Sequence, residues 1–168
     1  MDLESAILTA IEYEKKIRDI YREAAEAVAD PLGRHILQSL ADDEGGHVKY
    51  LESRLAQWRR DGSLCVKGML SAVISRDRLA DKTRRIEKDM AGEDRGDEKR
   101  ILSRALQAEI DTSDFYRRIS AEMDGPAREM FARFLEIEEG HIDVVQAQLD
   151  YLSGSGFWLG LKEFDMEE

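Results

Sequence analysis

Residues 43–47 read DEGGH and residues 138–141 read EEGH, and the reading of these two short stretches decides how the rest of the chain is understood. Each holds a Glu-x-x-His pair: Glu44 with His47, and Glu138 with His141. The second pair follows the first by 94 residues. Upstream of each pair stands one more glutamate with a tyrosine seven residues beyond it, Glu14 with Tyr21 and Glu109 with Tyr116, and this second set repeats at 95 residues. The chain is therefore duplicated internally, and most of the residues shared between its halves are metal-ligand types.

The surroundings of these residues place them on helices. Ile7, Ala10, Ile11, Glu14, Ile17, Tyr21, Ala24 and Val28 recur at three- and four-residue steps, the spacing of one helical face. Leu37, Leu40, Ala41, Glu44, His47, Val48, Leu51, Leu55 and Trp58 do the same. So do Leu102, Ala105, Leu106, Glu109, Thr112, Tyr116, Ile119 and Met123, and then Phe131, Phe134, Leu135, Glu138, His141, Ile142, Val145 and Leu149. Asp30-Pro31 and Asp124-Gly125-Pro126 stand ahead of the second helix of each pair; Asp is a good N-cap, and proline is tolerated in the first turn. Short turns make each half an antiparallel helical hairpin.

The expected fold is all-α: one domain over 1–168, with a first hairpin at about 1–60, a crossover at about 61–97, a second hairpin at about 98–153 and a tail at 154–168. The crossover is dense in mixed charge, with Leu79, Ile86 and Met90 as a thin apolar stripe, and reads as a solvated linker helix. In the tail, Phe157, Trp158, Leu159, Leu161 and Phe164 follow an SGSG hinge. They are expected to fold back as a short helix over apolar surface or to dock on a second subunit.

Composition closes off several classes. The 168 residues suffice for a real core. A net charge of −11 argues against nucleic acid or an anionic membrane as partner. Cys65 is the only cysteine, which excludes an internal disulfide and a four-cysteine metal site. The N-terminus lacks a basic start and long apolar run, and no stretch nears the roughly 18 apolar residues of a membrane span. The default expectation is a cytoplasmic protein with no membrane association.

Helical phase then turns spacing into chemistry. Residues three apart share a face, so Glu44 points with His47 and Glu138 with His141; seven residues is nearly two turns, which aligns Glu14 with Tyr21 and Glu109 with Tyr116. All four glutamates fall on the apolar stripes, where an ionised carboxylate costs several kcal/mol unless paired or bound to metal. No lysine or arginine stands clearly on those stripes at the same level. Four carboxylates and two neutral imidazoles balance two divalent cations. Removing Glu44 is thus expected to lose metal while relieving the metal-free protein of a buried charge. His35, about half a turn out of phase with Glu44, is expected to face outward. Tyr21 and Tyr116 read as core tyrosines whose hydroxyls hydrogen-bond ligating carboxylates. Gly46 and Gly140 sit at equivalent positions, where glycine costs about 1 kcal/mol relative to alanine; close helix packing is the expected reason, and opening the site to a small oxidant the alternative.

Glutamates from two helices and Glu-x-x-His from two others form the ligand set of ferritin-like di-iron carboxylate proteins. With EKKIRDIY (14–21), DEGGH (43–47), EIDTSDFY (109–116), EEGH (138–141) and the aromatic ending SGFWLGLKEF, the chain resembles the rubrerythrin-like branch of that superfamily. The resemblance implies an antiparallel four-helix bundle with a long crossover and a centre of two iron ions, with manganese or zinc as substitutes. Glu14 and His47 would serve one metal, Glu109 and His141 the other, and Glu44 and Glu138 would bridge. It further implies an oxidoreductase that reduces hydrogen peroxide or reacts with dioxygen, and a homodimer. Two departures matter. Lacking paired cysteines, the chain would need a separate redox donor protein. Thr112 stands where rubrerythrins carry an extra glutamate, so the ligand set is closer to the six-residue centre of ferritin-type oxidases. Ferrous iron oxidation or storage, and a structural module with a vestigial site, are the competing functions.

Overall fold

A computed structural model describes residues 1–66 and 96–153, and the described residues form four helices and no strand. They are α1 (Leu3–Ala27), α2 (Pro31–Asp61), α3 (Gly96–Glu122) and α4 (Gly125–Leu152). The expectations for Leu79, Ile86, Met90 and the aromatic tail lie outside the described residues. None of the described helices is long and apolar enough to cross a membrane.

Local chemistry sets the ends. Asp2 caps α1, its side chain accepting from the Ser5 amide at 2.9 Å and the Ser5 hydroxyl at 2.8 Å. Val28 and Asp30 are extended, and Pro31 opens α2 while the Asp30 carboxylate accepts from the Gly33 amide at 2.6 Å. Gly62 ends α2 in the left-handed region at φ 62°, its amide donating to the Trp58 carbonyl at 2.8 Å, a conformation that favours glycine. Arg59 and Arg60 in that last turn suit the helix dipole. The expected cap at the second hairpin is only half realised. Asp124 holds the N-cap position, but its side chain makes no capping bond. Gly125, at φ 55°, turns the chain there instead.

Cross-bundle contacts give the helix directions. Arg59 near the end of α2 pairs with Glu4 at the start of α1, so those helices are antiparallel. The N-terminal amine pairs with Glu122 at the end of α3, so α1 and α3 are antiparallel as well. At the other end, Glu98 on α3 accepts from the Ala29 amide at 2.7 Å. The end of α2 and the start of α3 therefore lie at opposite ends of the bundle. Gly33 packs so closely that a Cβ there would lie 3.0 Å from Val28 and 3.2 Å from Gln148 of α4.

The interior falls into two apolar clusters. One joins Ile17, Tyr21, Leu37, Leu102 and Val145; the other joins Ile7, Leu51, Tyr116, Phe131 and Phe134. The expected stripes are buried on α1 and, apart from half-buried Trp58, on α2. On α4 the stripe is turned slightly from expectation: Leu135, Ile142 and Leu149 are only half-buried, while Met130, Ile137 and Val144 are buried. A helix face takes in both three- and four-residue neighbours, and the sequence pattern alone did not choose between the two flanks of the Glu138 row.

Candidate metal centre

Between the two apolar clusters lies a layer of ionisable side chains. Glu14, Glu44, Glu109, Glu138 and His141 are wholly buried and His47 is 4% exposed. The helical phase that put them on apolar stripes is what delivers them here, one glutamate each from α1 and α3 and a glutamate–histidine pair each from α2 and α4. His35, as expected, is exposed on the other side of α2.

The six side chains form two overlapping groups. Glu14, Glu44, His47 and Glu138 make one, and Glu44, Glu109, Glu138 and His141 the other; within each, the candidate ligand atoms lie within 4.8 Å of one another. His47 Nδ1 is 3.0 Å from Glu14, 3.1 Å from Glu44 and 3.6 Å from Glu138. His141 Nδ1 is 2.7 Å from Glu44, 3.4 Å from Glu138 and 3.6 Å from Glu109. Glu44 and Glu138 thus each reach both histidines, whereas Glu14 meets His47 and Glu109 meets His141. The two imidazoles lie nearly parallel, with ring centroids 5.8 Å apart.

Tyr21 and Tyr116 do hydrogen-bond the carboxylates, and they do so across the halves. The Tyr21 hydroxyl on α1 donates to Glu109 on α3, and the Tyr116 hydroxyl on α3 donates to Glu14 on α1. Burial pushes both phenols well above their usual range, so they stay neutral donors. Phe134 walls the site from the Tyr116 side, its ring 5.0 Å from Tyr116 and edge-on to His47 at 5.3 Å.

Without a metal, protons take up the charge imbalance. Burial, aided by the Glu44 charge, pushes the Glu14 carboxyl up to about 8. Burial and the charges of Glu44, Glu14 and Glu109 raise Glu138 well above the carboxylate range. Burial would raise Glu44 too, but its hydrogen bond with Glu14 and the two imidazoles hold it well below that range. Burial works to lower both histidines, yet the charges of Glu44 with Glu14 raise His47, and those of Glu44 with Glu138 raise His141. Glu44 is therefore an anion between two cationic rings.

The donor set fits divalent metal. Both Glu138 oxygens and Glu109 Oε2 are buried without a hydrogen-bond partner, an arrangement that is costly unless another group supplies the contacts. Carboxylate and imidazole suit iron, manganese or zinc. Thr112, buried one turn after Glu109, donates its hydroxyl to the Ala108 carbonyl at 2.9 Å.

Two sequence readings need amendment. A Cβ on exposed Gly46 would meet no atom within 4 Å, so close packing among the described residues is not the reason for that glycine. Asp43 escaped notice although it adjoins Glu44: its Oδ2 lies 3.8 Å from His141 Nε2. Its signal was present in DEGGH, but Asp43 lies off the apolar stripe used to pick candidates.

No family model and no curated protein matches the chain. Among solved structures it is similar to a hypothetical protein from Pyrococcus furiosus, with a TM-score of 0.66 and 18% sequence identity over 94% of each chain. That likeness concerns the fold alone.

Proposed function

We propose that this chain is a ferritin-like, rubrerythrin-like di-iron oxidoreductase. The observation that carries the reading is the sharing of Glu44 and Glu138 between two four-residue groups whose other members are a glutamate and a histidine. In that reading Glu14 and His47 hold one iron, Glu109 and His141 the other, and Glu44 and Glu138 bridge them. Iron bound there would supply the two electrons that, with two protons, reduce hydrogen peroxide to water, or would react with dioxygen.

The protein's own part is to keep that site charged, oriented and dry. Tyr21 and Tyr116 each fix one carboxylate oxygen, of Glu109 and Glu14 respectively, and this limits carboxylate rotation. The apolar clusters on either side exclude water. Metal entry must displace the protons on Glu14, Glu138 and the histidines, so affinity rises with pH. A separate redox protein is the proposed electron donor, and a homodimer the proposed assembly.

The test is anaerobic loading with ferrous iron followed by rapid mixing with peroxide. Oxidation within seconds is expected; a rate no faster than free ferrous iron in the same buffer rejects the reading. Thr112 favours one alternative, ferrous iron oxidation or storage, because its hydroxyl is bonded to its own helix and adds no seventh carboxylate. Storage needs a closed shell of many subunits, so a solution mass of a monomer or dimer excludes it.

A further inference from the structure

The near two-fold symmetry of the centre fails at the outer nitrogens of its histidines. Position 43 precedes Glu44 as position 137 precedes Glu138, but the first is Asp and the second Ile. Asp43 Oδ2 faces His141 Nε2 at 3.8 Å, with its side chain 15% exposed. Ile137 is buried and has no acceptor to offer. The carboxylates paired with His47, from Glu14, Glu44 and Glu138, all meet it at Nδ1; neither histidine's Nε2 has a hydrogen-bond partner, and among the described residues only that of His141 has a carboxylate within 4 Å. The tyrosines do not share this asymmetry, since each half supplies one to the other.

A carboxylate behind the outer nitrogen of a ligating histidine fixes its tautomer and ring orientation and makes the inner nitrogen a better donor. At 3.8 Å the contact is an ion pair rather than a hydrogen bond. It nevertheless supplies the correct charge at the outer nitrogen of His141, where no carboxylate among the described residues does so for that of His47. We infer that Asp43 is a positioning residue for His141 and that the two metal subsites are unequal. The subsite of Glu109 and His141 fills first and holds its ion; that of Glu14 and His47 fills second and exchanges it. This rests on the metal-centre reading above.

The experiment is a calorimetric titration of the metal-free full-length chain with Co²⁺, alongside proton NMR of the cobalt-loaded protein. Two binding steps are expected, separated by roughly 10- to 100-fold, the usual effect of losing such an outer contact on metal affinity. Asp43→Ala should weaken the tight step by about that factor and leave the weak one in place, so that the two steps merge. It should also speed solvent exchange of one paramagnetically shifted imidazole N–H signal and not of the other. Ile137→Asp should narrow the gap from the other side by tightening the weak step. Two equal steps in the native chain would overturn the inference, as would an Asp43→Ala chain whose steps keep their ratio or weaken together. A native chain that binds no cobalt overturns the metal-centre reading itself, a result distinct from equal binding.

Discussion

Phe131 and Glu138 stand two turns apart on α4, and both are wholly buried, yet burial does opposite things to them. Around Phe131, Met130, Phe134, Leu51 and Ile7 form a cluster whose removal from water drives the helices together. Around Glu138, the carboxylates of Glu44, Glu14 and Glu109 crowd one another, and the pKa of Glu138 is driven up because its charge has no good place to go. The apolar ends hold the bundle together, and the polar layer between them is maintained against a cost. Such a layer makes sense as a site, because ordinary packing at the same positions would be more stable.

The largest break in that comparison comes from the apolar side. Phe131→Ala should lower unfolding stability by about 3–5 kcal/mol, by the same amount with and without metal, in denaturant titrations followed by helical circular dichroism. A loss confined to the metal-loaded form would mean that the cluster serves the site rather than the fold.

Varying pH next sharpens the contrast, because only the polar layer responds. Glu14 has a folded value of about 8 against 4.5 for the free group. Its stabilising effect is complete below the lower value and is lost as pH rises through the upper one. Glu138, His47 and His141, all raised, act in the same direction. Glu44, which is lowered, gives stability above the ordinary carboxylate value and loses it only in stronger acid, so it does not reverse the trend above pH 5. The metal-free protein should therefore lose on the order of a few kcal/mol between about pH 5 and 8. Thermal melts in a chelator should show a falling midpoint over that window, and bound metal should flatten the curve. A midpoint that rises would contradict the assignment of protons to these groups.

The unequal legibility of the two regions in the sequence has the same origin. The polar layer could be read almost completely. A glutamate on an apolar stripe is conspicuous, and the duplication gave each residue a counterpart, so all six candidate ligands and both tyrosines were found and are brought together. The apolar regions were read less well. Leu135 and Ile142 look as good as Ile137 and Val144 in a pattern of threes and fours, and only packing against the other helices selects between them. That the tyrosines bond across the halves was also hidden, because periodicity within a helix fixes a face and says nothing about which neighbour it meets. Asp43 was missed because its partner, the outer nitrogen of His141, belongs to another helix.

A smaller effect is expected from the hydroxyls that join the two regions, since Tyr21 and Tyr116 belong to the apolar clusters by their rings and to the polar layer by their oxygens. Tyr116→Phe should cost about 1–3 kcal/mol, because it leaves an oxygen of Glu14 buried without its donor, and Tyr21→Phe should act alike through Glu109. Equal costs in chelator-treated protein would support the crossed pairing as a symmetric element. If the double variant costs only as much as either single one, the two bonds are not independent and the symmetry is misleading.

The smallest stability change is expected at Glu138, the counterpart of Glu44 in the other half. Spacing treats Glu44 and Glu138 as equivalent, and Glu44 seemed a buried charge whose removal would help the metal-free bundle. Their surroundings differ. Glu44 is held ionised by its hydrogen bond with Glu14 and by His47 and His141, so its loss removes the charge that raises both buried rings and the contacts they make with it. Glu138 is raised by burial and then by its neighbours' charges, and neither of its oxygens has a hydrogen-bond partner. A neutral amide of the same shape should therefore be nearly silent there: Glu138→Gln is expected to change metal-free stability by less than about 1 kcal/mol, while it abolishes the binding of two metals seen by elemental analysis. Glu44→Gln should abolish binding as well, but it should also destabilise the metal-free chain. Measured side by side at pH 7, equal destabilisation by the two substitutions would show that the charge in this layer is spread over both bridging positions instead of resting on Glu44.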